Sequence, residues 1–134
     1  MANDVPQDLN WVTAVASCSA KHIFTELRLG IEEDVKEANE RVKDRRTFDI
    51  RANSDMTMFS VFQVGSMHQE VRFFVGPNFI KIQRAPEDNL MVKFSLNRQG
   101  RCRLWINTGE ELEQWEVRKM ALEKLFFGSF PLSV

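Results

Sequence analysis

From Thr47 to Asn107 the chain alternates apolar and polar residues in short runs cut by turn residues, a punctuation that commits it to an antiparallel sheet. Phe48, Ile50 and Ala52 oppose Asp49 and Arg51, and Asn53-Ser54-Asp55 supplies the first turn. Met56 to Val64 is apolar on both sides, with Met58 and Phe62 on one and Phe59 and Val61 on the other, the pattern of a strand covered twice. Val71, Phe73 and Val75 oppose Arg72 and Phe74, followed by Gly76-Pro77-Asn78. Ile80 and Ile82 oppose Lys81 and Gln83 before a turn at Pro86-Glu87-Asp88-Asn89. Val92, Phe94 and Leu96 then oppose Lys93 and Ser95, and after Asn97 to Gly100 come Cys102, Leu104 and Ile106 against Arg101, Arg103 and Trp105. Every connection is of hairpin length, so the expected topology is an up-and-down meander of five or six strands.

Helical periods flank the sheet. Ile23, Leu27, Ile31, Val35, Ala38 and Val42 recur at three and four residues, predicting one long helix from Ser19 to Asp44 with a charged outer face, Gly30 inside it costing about 1 kcal/mol relative to Ala. Before it, Trp11, Val12 and Val15 fit a short helix capped by Asp8, and equally an alternating strand; the helix is preferred. After the sheet, Thr108-Gly109-Glu110-Glu111 has the spacing of a capping box, opening a C-terminal helix through Leu112, Trp115, Leu122, Leu125 and Phe126 that stops at Gly128. Residues 1–7 read as a loose arm and Phe130-Pro131-Leu132 as an extended tail. The fold class is therefore α+β: a long N-terminal helix, an antiparallel meander and a capped C-terminal helix packed on the sheet, all in one domain spanning 1–134. A meander closed by a helix bearing Trp115 resembles the end of a pleckstrin-homology domain, but the long N-terminal helix and the missing first strands depart from that pattern, and no residue role carries over.

Motifs for catalysis are missing where they would have to be. The glycines at 30, 65, 76, 100, 109 and 128 never take phosphate-loop spacing, and His22 and His68, the two imidazoles, are in no zinc-ligand pattern. No cofactor and no metal are expected, and for enzymatic activity the sequence leans against without deciding. Cys18 and His22 are four apart, which on a helix brings a thiol and a base to one face, but no third group orients them. Cys102 reads as a small core residue; a bond to Cys18 needs an approach that spacing does not reveal. Two cysteines without a paired motif, no charged start followed by an apolar run, and no apolar stretch of membrane-spanning length predict a cytoplasmic chain with no membrane partner.

What remains is a surface. The chain has formal charge −1, yet between His68 and Asn107 seven basic residues face three acidic ones, and alternation puts Arg72, Lys81, Lys93, Arg101, Arg103 and Trp105 on one side of the sheet. That cationic side is the candidate site of a non-catalytic domain that binds a protein or peptide. Nucleic acid is disfavoured by the overall acidity and the absence of an RNA-recognition signature. A second reading is a small-molecule domain whose apolar pocket lies between the sheet and the C-terminal helix, lined by Met56, Met58, Phe62, Phe73 and Trp115. A homodimer is expected from the length of the N-terminal helix and from apolar residues, Phe59, Val61 and Phe74, assigned to the cationic side.

Overall fold

The computed structural model describes residues 9–42, 46–66 and 69–128. The expected arm over 1–7, the Asp8 cap, the helix end at Asp44, His68 and the Phe130-Pro131-Leu132 tail lie outside the described residues. The element order is α1 (Trp11–Ser17), α2 (Ala20–Arg41), β1 (Phe48–Ala52), β2 (Met58–Gln63), β3 (Glu70–Val75), β4 (Ile80–Ala85), β5 (Asp88–Leu96), β6 (Cys102–Trp105), β7 (Glu111–Leu112) and α3 (Gln114–Glu123), with a π turn over Lys124–Gly128. The strands form one antiparallel sheet in chain order, β1 to β7, so the meander has seven strands rather than five or six.

The extra strand corrects the reading of Thr108 to Glu111. Gly109 sits at φ 87°, and its N–H donates to the Ile106 carbonyl at 2.8 Å. That left-handed turn folds Glu111 and Leu112 back onto Trp105 and Leu104. The capping box exists one turn later: the Glu113 side chain accepts from the backbone of Glu116, and Glu116 reaches back to the Glu113 N–H at 2.8 Å. The turn after β4 is tighter than expected too, because Ala85 pairs with Asp88 and leaves only Pro86 and Glu87 in the loop.

Cross-strand register sorts the faces. Phe59 lies opposite Phe73, which lies opposite Ile82, and these join Phe48, Val61, Val71, Ile80, Leu90, Val92, Leu104 and Leu112 in the core. The helices bring Ile23, Leu27, Ile31 and Val35 from α2 and Val117, Ala121 and Leu122 from α3 to the same core. Phe59 and Val61 thus belong to the helix-covered face, and Met58 and Phe62 to the opposite one, the reverse of the side assigned from sequence. The Asn53 side chain fixes that register: its Oδ1 accepts from the N–H of Thr57 (3.0 Å) and of Met58 (3.1 Å), setting Ala52 against Phe59.

The helices are fastened to the sheet and to each other by polar contacts at the margins of the core. Asn39 of α2 donates to the Phe48 carbonyl at 3.1 Å and accepts the Phe48 N–H at 2.8 Å, joining α2 to the outer edge of β1. Arg118 of α3 donates from Nε to Asp34 Oδ2 at 2.7 Å. The same guanidinium crosses α2 at Gly30, where a Cβ would meet its Nη1 at 2.7 Å, which accounts for a glycine in mid-helix. Between Gln83 and Ala85 the strand register shifts, and Arg84 at that irregularity donates to the Met120 carbonyl of α3 (3.0 Å) and to Asp88 (2.8 Å). Arg46 likewise donates to the Phe126 carbonyl at 2.9 Å. Two arginines therefore serve carbonyls of the last helical turns, where the dipole favours cations.

Cys18 and Cys102 are bonded to each other, their Cα atoms 5.2 Å apart. This overturns the reading of Cys102 as a free core thiol and removes Cys18 as a nucleophile partner for His22. Cys102 alternates with Leu104 on the helix-covered side at the margin of the core, and Cys18, between α1 and α2, meets it there.

Candidate sheet-face site

Both α2 and α3 pack on one side of the sheet, and among the described residues no helix lies over the other. Its side chains run in cross-strand rows that the pairing defines. One row is Asp49, Phe62 and Glu70; the next is Arg51, Ser60, Arg72, Gln83 and Asn89. A third is Met58, Phe74, Lys81 and Met91, and beyond it come Lys93, Trp105 and Glu111, then Ser95 and Arg103. Arg101 precedes β6 in alternation with Arg103, and its N–H donates to Asn97 Oδ1 at 3.0 Å. Arg72, Lys81, Lys93, Arg103 and Trp105 do stand on one face, with Arg101 at its rim.

The rows also contain partners that the sequence reading left out of the site. Arg51 places its guanidinium carbon 4.5 Å from the Phe62 ring centroid, and Lys81 its Nζ 4.8 Å from that of Phe74. Arg72 pairs with Glu70 at 3.3 Å, and Arg103 with Glu111. Ser60, between Arg51 and Arg72 in its row, is buried although none of the described helices covers it. The strand alternation around Phe48 and Ile50 already pointed Arg51 at this face; the aromatic pairing needed the register.

Chemically the arrangement suits attraction of anions. Six cations (Arg51, Arg72, Lys81, Lys93, Arg101 and Arg103) share the face and rim with three acids (Asp49, Glu70 and Glu111). Half-buried Met58, Phe62, Phe74, Met91 and Trp105 give it an apolar floor. Cation positions over Phe62 and Phe74 cover the ring surfaces on which a nucleobase would stack, while leaving charge available to a carboxylate.

The five residues of the alternative pocket are not brought together: only Met56 and Met58 share a recess, of about 30 Å³, beside Phe24 and Arg28 of α2. Met58 and Phe62 are on the open face, Phe73 is fully buried on the helix side, and Trp115 points away from the sheet, 56% exposed. Met56 is in the β1–β2 turn at φ 60°, its Sδ accepting from Arg28 at 3.5 Å. The groove that α3 does line, about 380 Å³, opens between α2 and α3 on their outer side, bounded by Ala38, Trp115, Leu122, Phe126 and Phe127 with charged residues of both helices. Its charges include the pairs Asp34–Arg118, Glu37–Arg41 and Lys119–Glu123. In the second of these, the hydrogen bond from Arg41 to Glu37 raises the guanidinium's pKa further above its ordinary value.

No group of three or more His, Cys, Asp or Glu that could hold a metal occurs among the described residues, and none of the described helices is long and apolar enough to cross a membrane. Set against known proteins, the chain matches no protein family, no curated protein and no solved structure.

Proposed function

We propose that this chain is a non-catalytic binding domain whose uncovered sheet face takes an acidic protein or peptide segment. The observation that supports this reading most directly is the pairing of cations with aromatics on that face, Arg51 over Phe62 and Lys81 over Phe74, beside Lys93 and Trp105 in the adjoining row. A bound carboxylate gains those charges without displacing the ring contacts, and the methionines adapt to the partner's apolar side chains. Single-stranded nucleic acid fits less well, because the occluded Phe faces offer its bases little to stack upon. The small-molecule reading loses its support where its five residues separate.

The homodimer belongs to the same proposal in altered form. Of the residues that motivated it, only Phe74 is on the open face, so a second copy would bring one cationic face against another. An acidic partner is the better complement. For the compartment, we infer one that permits disulfides, in place of the cytoplasm expected from two unpaired cysteines.

A fluorescent peptide of alternating Asp and Leu, followed by anisotropy, tests the reading. It should bind the wild-type chain at low salt, weaken as salt rises, and fail to bind the variant carrying Lys81→Glu and Lys93→Glu. Equal binding by the variant sinks the proposed surface. Tighter binding of an oligothymidylate that depends on Trp105 replaces a protein partner with nucleic acid, and light scattering giving the mass of one chain removes the dimer.

A further inference from the structure

We infer that the Cys18–Cys102 bond is a thiol-exchange site that holds or releases α1 while the sheet stays folded. The two ends it joins are unlike. Cys102 is in β6, which is bonded on both sides, whereas α1 buries none of its residues and leaves Trp11, Val12 and Val15 exposed. The other attachments of α1 are slight: it touches the neighbouring α2, Leu9 just before it rests against Gly100, where a Cβ would meet its Cδ1 at 2.8 Å, and the Asn10 cap on the Thr13 N–H is local to the helix. None of the hydrophobic core cluster comes from α1; it begins at Ile23. Loss of the bond therefore removes the covalent hold on α1 and withdraws nothing from the packing that holds the sheet.

The bond is also within reach. Both cysteines are only partly buried, and a cavity of about 170 Å³ is lined by Ser17, Cys102, Glu26, Arg103 and Gln114. A small dithiol entering there attacks Cys102 Sγ as its thiolate, forming a mixed disulfide and breaking the bond to Cys18, whose sulfur leaves with the electron pair. Cys18 directly precedes Ser19, the N-cap of the 22-residue α2, and the N-terminal end of that helix favours the leaving thiolate. His22 is engaged with Glu26 at 3.2 Å, so solvent supplies the proton. The second thiol of the reductant then attacks the mixed disulfide, leaving as a cyclic disulfide and freeing Cys102. Two electrons and two protons have passed from the dithiol to the two cysteines. Reoxidation by a small disulfide reverses each step.

The test uses the intact chain in native buffer with dithiothreitol, iodoacetamide as the trap for thiols, and hydrogen exchange as the readout. Both cysteines should be alkylated within about tenfold of the rate found in denaturant. Once reduced, the amides of Ala14 and Cys18, which bond to Asn10 and Ala14 carbonyls at 3.1 Å, should lose their protection entirely, while those of Phe73, Ile82 and Val92 exchange faster because the whole chain is less stable but remain protected. Cys102→Ser should show the same exchange pattern with no reductant present. Alkylation that requires denaturant, α1 amides that stay protected after reduction, or collapse of core protection along with α1 each overturns the inference.

Discussion

Phe73 and Phe74 are chain neighbours on β3, and they live in different solvents. Phe73 is fully buried, its ring stacked on Phe59 at 4.6 Å between centroids and 11° between planes, beneath helices that complete its contacts. Phe74 is half-exposed and has a lysine ammonium over its ring. Alternation delivers one aromatic to each side of the sheet, and what covers a side then decides the role of the residue. On the covered side an aromatic supplies cohesion. On the other it is a floor beneath charges, and its worth is realised only when something binds.

The sharpest way to break this comparison is to truncate the two in parallel. Phe73→Ala should cost about 3–5 kcal/mol, the toll of an aromatic-sized core cavity, and Phe74→Ala about 1 kcal/mol, both read from urea unfolding. Equal losses would mean that the faces are not energetically distinct. Replacing Cys18 and Cys102 together by Ser should lower stability by about 4.6 kcal/mol in the chain-entropy account of a bond that closes 84 positions, measured the same way. That loss acts through the unfolded chain, so it leaves the contrast between the faces intact. Third comes the Arg118–Asp34 pair between α2 and α3. Because both side chains remain partly exposed, a double-mutant cycle with Ala should give a coupling of no more than about 1 kcal/mol. The smallest change expected in stability is that of Lys81→Glu with Lys93→Glu, within about 0.5 kcal/mol, although the peptide binding described above is lost. A large destabilisation by this pair would turn the cationic face into a structural element.

Much of the fold was legible because period and burial agree. The residues Ile23, Leu27, Ile31, Val35 and Ala38 of α2 are all buried, as their spacing requires. The seventh strand escaped because Thr108 to Glu111 satisfies a helix-capping pattern, and only the left-handed Gly109 reveals a turn. The sides of β2 were exchanged because a strand apolar on both faces has no intrinsic orientation: the register imposed by Asn53 decides it. For the site, alternation alone found five of the six cations on the face and rim. Arg51, the sixth, follows from the same alternation around Phe48 and Ile50, whereas the stacking of cations on Phe62 and Phe74 depends on which strands lie side by side, information that no single run of residues contains. The bond between Cys18 and Cys102 was equally invisible, since it depends on an approach of residues far apart in the chain.

Asn39 has a consequence for the behaviour of many copies together. A sheet edge left open recruits strands from neighbouring molecules, and growth of that kind ends in fibrils. At β1 the Asn39 carboxamide consumes both hydrogen-bonding groups of Phe48, and Asp49 Oδ1 accepts the Ile50 N–H at 2.8 Å, so an incoming strand finds its first positions already taken. At the other border β7 is two residues long, too short to template anything. With one border occupied by its own helix and the other cut short, the meander is protected against polymerisation at both ends.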